Sequence, residues 1–304
     1  MRASAQSARP SASCRAAPPS ERPRRASRSS GARPLGFVRG DPFGDDQLPL
    51  TEELPLTLCR LDGADHDRWL TAAEALLSPA ERERAQAIND AGVRARHAVG
   101  RAVMRRIGAR VSGRDPAALD IATSSLGKPR LVDVPDLYVS VAHTDRLVVV
   151  AACRSHPVGV DAEAPVARIS GARRIAERRF SSAEARWLGE LPDTEFSTWF
   201  SRVWTLKEAV GKAVGAGVVP ALSGAVAAPD GPELRLASVW CRPAASEWSI
   251  HELAAADGPE RITVAVPAAD VTITEVCRLT PEQLRARAQL GSGGPQLLSA
   301  ELRS

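Results

Sequence analysis

All but three of the 40 basic residues in this 304-residue chain are arginine, and the three lysines fall where chemistry could be done. Lys128 lies in Gly127-Lys128-Pro129, and Lys207 and Lys212 lie in Trp204-Thr-Leu-Lys-Glu-Ala-Val-Gly-Lys212. Lysine is a compact, rotatable point charge and arginine a rigid fork, so a site built around phosphate oxygens can require the former. Asp161 and Glu163 stand two apart in Val158-Gly-Val-Asp-Ala-Glu163. On a strand that spacing projects both carboxylates from one face. Two hard oxygen ligands on one rigid edge suit Mg²⁺, which keeps several waters and takes its remaining ligands from substrate phosphates. On a helix, Lys207, Glu208, Gly211 and Lys212 make one polar edge, while Trp204, Leu206 and Val210 pack inward. Glu208 can then complete the metal site with Asp161 and Glu163 while the lysines face phosphate. Taken alone, the same helix is an ordinary amphipathic one, with a Glu208–Lys212 pair worth about 0.2–0.5 kcal/mol.

Periodicity and punctuation outline the elements that must carry these residues. Leu54 to Leu61 alternates like a strand, and Asp65 to Leu77 has helical spacing. Ser78-Pro79-Ala-Glu81 reads as an N-cap, a first-turn proline and a capping-box glutamate. A helix from about Val93 to Arg110 puts Val99, Val103, Met104 and Ile107 on one face, and strands follow at Tyr138 to Ala142 and Leu147 to Ala152. A comparable order then recurs. Val158 to Glu163 is a strand, Ile169 to Phe180 a basic helix, Ser181-Ser-Ala-Glu184 a second capping box, and Glu195 to about Val214 a long helix. Strands are expected near 233–239, 248–253, 261–266 and 271–278, and a terminal helix over 280–290. The expectation is an α+β fold: a pseudo-twofold duplication of two similar lobes, each a small antiparallel sheet packed with helices. The lobes are placed at 49–155 and 156–285, between a disordered Arg/Ser/Pro-rich tail at 1–48 and a flexible tail at 286–304.

Composition excludes several classes. No apolar run approaches the ~18 residues a membrane span needs. Five scattered cysteines without a Cys-x-x-Cys pair indicate neither a disulfide frame nor a zinc site, which makes a reducing cytoplasm the simplest compartment. Nine arginines against Glu21 give residues 1–40 a charge of +8 and leave the rest of the chain at −4, although the whole carries +4. Nucleic-acid binding would therefore rest on the tail alone, and no recognition motif or aromatic-interleaved basic strand supports it.

Taken in order, Gly127-Lys128-Pro129, a strand ending in His143-Thr144, Gly159-Val-Asp161-Ala-Glu163 and Trp204-x-x-Lys207-Glu208-Ala-x-x-Lys212 resemble the Sfp-type 4′-phosphopantetheinyl transferases over roughly residues 54–280. The resemblance implies two α+β lobes with coenzyme A in the cleft between them. It also implies transfer of 4′-phosphopantetheine to a serine of an apo carrier protein, with release of 3′,5′-ADP. It makes Asp161, Glu163 and Glu208 the Mg²⁺ ligands, Glu208 the general base and Lys212 the pyrophosphate contact. Lys128, His143, Thr144 and Lys207 are implied to contact coenzyme A, with Arg96 near its 3′-phosphate and adenine. One departure is plain: where many members read Asn-x-Ser-His-Ser, this chain has Ser140-Val-Ala142-His143-Thr144 and lacks one hydroxyl.

Arg168, Arg173, Arg174, Arg178 and Arg179 crowd the helix after the metal strand. Carrier proteins in this reaction are acidic, so Arg173 and Arg174 are candidate docking residues, against the alternative of a solvated basic face. The chain is expected to act as a monomer, because both halves of the cleft come from one polypeptide. The rival readings are a non-catalytic homologue that binds coenzyme A or a carrier protein, and a different Mg²⁺-dependent nucleotide enzyme. The latter lacks a glycine-rich phosphate loop in this sequence.

Overall fold

The structure is a computed structural model that describes residues 55–61, 65–255, 258–273 and 275–286. The expected tail at 1–48 and nearly all of the one at 286–304 lie outside these residues. The first half runs β1 (Pro55–Arg60), α1 (His66–Glu74), α2 (Pro79–Gln86), α3 (Ala91–Ser112), β2 (Ile121–Thr123), β3 (Pro129–Leu131), β4 (Tyr138–His143) and β5 (Leu147–Cys153). The second runs β6 (Gly159–Glu163), α4 (Ile169–Arg179), α5 (Ser182–Glu190), α6 (Asp193–Val214), α7 (Val218–Gly224), β7 (Val226–Asp230), β8 (Glu233–Ser238), β9 (Ser249–Ala254) and β10 (Arg261–Val266). It closes with β11 (Glu275–Leu279) and α8 (Pro281–Ala286).

Both expected capping boxes form, and each does more than start a helix. Ser78 Oγ accepts from the Glu81 amide while the Glu81 carboxylate accepts from the Ser78 amide, and Ser181 and Glu184 repeat the arrangement. The two glutamates are then buried against a cation from the following 22-residue helix. Glu81 accepts from Arg105 and Arg101 of α3, and Glu184 from Lys207 of α6. Each cation goes on to satisfy two backbone carbonyls further along: Arg105 those of Pro116 and Leu119, Lys207 those of Leu222 and Ala225. Both long helices end on a left-handed glycine, Gly113 and Gly215. The same local device thus recurs in the two halves.

Four strands form one sheet in the order β11-β1-β5-β4, and three form another in the order β6-β10-β9. Helices cover the outer face of each. Val148, Val150 and Ala152 pack with Val99 and Val103 of α3 on one side, and Phe200, Leu206 and Val210 of α6 form the core on the other. The inner faces meet through Leu56, Leu58, Val149 and Ala151 against Val160, Ala162, Ile262 and Val264. Strand β5 is therefore buried on both faces, which is why Leu147–Cys153 is a continuous apolar run instead of an alternating one. The sheets join where β4 and β6 meet, and there the Val160 amide donates to Ser140 Oγ at 3.0 Å.

The first sheet is mixed, because β11 pairs with β1 in parallel register, Pro55 to Glu275 through Cys59 to Leu279. The second lobe had been expected to run through residue 285. Its last strand instead completes the first sheet, and α8 follows it, with Leu284 in the core under α1 and α3. The expected strand over 271–278 begins only at Glu275. Val271 and Ile273 are buried in the irregular approach to it. Three-residue β2 and β3, five-residue β7 and seven-residue α7 had given no periodic signal in the sequence, since each is shorter than the window periodicity needs.

Candidate active site

Strand β6 lies directly against α6 because residue 159 has no side chain. A Cβ at Gly159 would stand 1.9 Å from the Ala209 carbonyl oxygen and 2.4 Å from the Ala213 nitrogen. Residues 161 and 163 project from the same strand face as Gly159, so this close approach carries their carboxylates toward the α6 face that holds Glu208 and Lys212. Asp161 Oδ1 accepts from Lys212 Nζ at 2.7 Å. Asp161 Oδ2 is buried with no hydrogen-bond partner. Lys212 Nζ also reaches the Val141 carbonyl of β4 at 3.5 Å, so the ammonium sits over the junction of the two sheets.

The acidic residues feel one another strongly. Glu208 is pushed up to about 7, first by desolvation and then by the charge of Asp161, with Lys212 opposing. Glu163 is also raised to about 7, by desolvation, Asp161 and Glu208. Burial raises Asp161 against the pull of Lys212. Among the described residues no three His, Cys, Asp or Glu side chains converge as a preformed metal cage. The expected trio is brought into electrostatic contact but not gathered into a closed coordination shell. One oxygen of Asp161 is taken by Lys212.

Three more expected residues lie along the same seam. His143 ends β4, with its pKa lowered by desolvation and by the charges of Arg96 and Lys212. Arg96 of α3 donates to the Asp145 carbonyl at 3.1 Å and leaves its Nε buried without a partner. Thr144 sits in the β4–β5 turn, where its amide donates to the Leu147 carbonyl and its Oγ1 accepts from the Arg146 amide. Ala142, the departure from the family pattern, is buried in the core between the sheets.

Three expected site residues find other partners in the fold. Lys207, read as a coenzyme A contact, is 0% exposed and held by Glu184 Oε2 and the Leu222 carbonyl, both at 2.9 Å, and by the Ala225 carbonyl. It also lies 4.8 Å from the centre of the Phe180 ring. Helical spacing had placed it on one edge with Lys212, but that edge is wide enough for Lys207 to turn into the helical layer while Lys212 faces the strands. Lys128 points its ammonium at backbone carbonyls: Lys212 and Ala213 at 2.6 Å and Val158 at 3.4 Å. Arg173, read as a docking residue, stacks over Phe196 and donates to the carbonyls of Leu188, Gly189 and Leu191 and to Asp193. It closes the end of α5. Arg174, Arg178 and Arg179 remain exposed.

Two features of the seam had escaped the sequence reading. Gly159 appeared only as part of a motif, and Ser140, whose hydroxyl joins the sheets, only as a departure from one. A better signal existed for Lys207: each capping-box glutamate is followed by its cation at nearly the same distance, 24 residues on for Arg105 and 23 for Lys207.

Residues 157–266, from just before β6 to the end of β10, match the 4′-phosphopantetheinyl transferase superfamily. The chain is 31% identical over 172 residues to the 4′-phosphopantetheinyl transferase HetI of Nostoc sp., an alignment covering 56% of this chain and 71% of that protein. The chain therefore belongs to the 4′-phosphopantetheinyl transferase superfamily. A 4′-phosphopantetheinyl transferase of Bacillus subtilis is 29% identical over 164 residues, covering 52% of this chain and 71% of the relative. The Bacillus subtilis protein Sfp is 28% identical over 160 residues, covering 52% and 67%.

Proposed function

We propose that this protein transfers 4′-phosphopantetheine from coenzyme A to a serine hydroxyl of an apo carrier protein and releases 3′,5′-ADP. The observation that carries the reading is the β6–α6 seam. There the charge of Asp161 acts on Glu163 and Glu208 beside Lys212, with His143 and Arg96 continuing the line onto the first half. A hard divalent cation, Mg²⁺, would be held in an open half-site and not in a closed cage, since no three acidic side chains converge among the described residues. Asp161 Oδ2 is buried and unpartnered, and two raised carboxylates stand nearby, so phosphate oxygens and water would supply the remaining ligands. When bound, the ion would draw charge from the diphosphate oxygens.

The protein's own groups account for the rest. Lys212 has one carboxylate partner and a long contact to a carbonyl, so its ammonium retains donor capacity for a diphosphate oxygen. Glu208, poised near neutral pH, accepts the proton of the carrier serine as the serine oxygen bonds to the β-phosphorus and the bond to the 3′,5′-ADP oxygen breaks. Arg96 and His143 hold the nucleotide's phosphate at the far end of the seam. No described helix is long and apolar enough to cross a membrane.

The decisive experiment is intact mass spectrometry of an apo carrier protein incubated with this protein, coenzyme A and Mg²⁺. A gain of one phosphopantetheinyl group is expected, and an unchanged carrier mass would overturn the proposal. For docking, the corrected geometry shifts attention to the exposed residues of α4. Arg174→Glu with Arg178→Glu is expected to raise the KM for carrier roughly 10-fold and leave that for coenzyme A unchanged. Arg173→Glu instead lowers the unfolding midpoint, because it strips the end of α5.

A further inference from the structure

We propose that Lys128 is a positioning residue, which clamps the last turn of α6 to the start of β6 and thereby fixes where Lys212 meets Asp161. The clamp belongs to the first half of the chain. Strands β2 and β3 form a short hairpin, Ile121 paired with Leu131, and both of these side chains are buried in the core beneath α3. At its tip the Ser124 amide donates to the Lys128 carbonyl at 2.9 Å, and the Lys128 amide donates to Ser124 Oγ at 3.0 Å. Gly127, at φ +87°, makes the turn. The side chain therefore leaves a braced support.

Its ammonium reaches three carbonyls: Lys212 and Ala213 at the end of α6, and Val158 just before β6. An ammonium has three hydrogens, so these acceptors use its full donor capacity and leave none for a phosphate. The end of a helix presents unpaired carbonyls and a partial negative charge, which a cation satisfies. Gly215 leaves the helix in left-handed conformation, and a Cβ built there would lie 3.5 Å from Lys128 Cδ, so the lysine stem follows the turn as well. The Lys212 peptide is thus gripped through its carbonyl while its side chain holds Asp161. Strand β6, which carries Asp161, is gripped three residues upstream.

The activity readout rests on the transfer reading above, so the test has a second arm that does not. Lys128→Met keeps the stem and removes the donors; Lys128→Arg keeps donors on a longer fork. For Lys128→Met, kcat is expected to fall roughly 10- to 100-fold, as a misplaced catalytic group requires. Titration calorimetry should find the Kd for coenzyme A within about 2-fold of the unsubstituted protein, with an unchanged salt dependence. Lys128→Arg should recover at least about half of the lost kcat on a logarithmic scale. Independently of turnover, the amides of Gly215 and Ala216 should exchange hydrogen at least about 10-fold faster in Lys128→Met, while those of α3 are unaffected. Coenzyme A affinity that weakens in step with kcat, and loses salt dependence, would make Lys128 a phosphate contact and overturn the proposal. So would unaltered exchange at the end of α6. Absence of turnover in the unsubstituted protein would overturn the transfer reading alone, leaving the exchange measurement to decide on the clamp.

Discussion

Lys207→Met is expected to destabilise the protein by about 3–5 kcal/mol while leaving the turnover of folded molecules nearly unchanged. The lysine is fully buried and is the only cation bonded to the Glu184 carboxylate among the described residues. That carboxylate also accepts from the amides of Ser181 and Ala227, so it is tied to α5 and β7 and cannot turn to solvent when the ammonium is removed. Two carbonyls, of Leu222 and Ala225, lose their donor as well. The cost is that of an uncompensated buried charge, so Glu184→Gln together with Lys207→Met should recover part of it. Urea unfolding of the single and the double variant measures the stability, and carrier modification well below the midpoint measures the turnover. Lost turnover with unaltered stability would return Lys207 to the phosphates.

For Asp161→Asn, a fall in kcat of about 10²–10³-fold is expected, with the fold intact. The side chain holds Lys212 at 2.7 Å and offers its second oxygen to a cation, so one amide removes both attractions. The same carboxylate is a cause of the raised pKa of Glu163 and of Glu208. A carboxyl whose folded pKa lies above its unfolded value favours the protonated native state. Metal-free protein should therefore lose stability as pH rises from about 4.5, the ordinary glutamate value, to about 7, the value reached in the fold. The melting temperature followed across that interval should decline, and the decline should flatten in Asp161→Asn. Mg²⁺ should raise the melting temperature more at pH 8 than at pH 6, since ligands must be ionised to bind. A melting temperature that climbs over the same interval would mean that the carboxylates are not crowded together.

The long elements of this fold were legible because they repeat a pattern often enough to be read. Helices α3 and α6 run 22 residues each, both capping boxes stand in plain sequence, and β10 falls on the expected residues. Of the proposed site, Asp161, Glu163, Glu208 and Lys212 follow from residue type and from strand and helix spacing, whereas His143 and Arg96 rest on the family resemblance. What could not be read was which neighbours each charge would find. Lys207 and Lys212 differ by little more than one helical turn, yet one meets a buried glutamate from another helix and the other an aspartate on a strand. Lys128 and Arg173 likewise spend their charge on carbonyls supplied by chain many residues away. A partner of that kind is settled by tertiary packing.

Strand β11 lies beside β1 although about 220 residues separate them, and among the described residues it is what covers that edge of β1. A ribosome would release the whole second half before this strand emerges. Until then the first sheet presents an open backbone edge, so its completion must wait for residues 275–279. Such distant pairing slows folding and leaves the nascent protein open to edge-to-edge association. A fragment ending near residue 155 is accordingly a poor candidate for independent expression, whereas one that retains residues 275–286 carries its own closing strip.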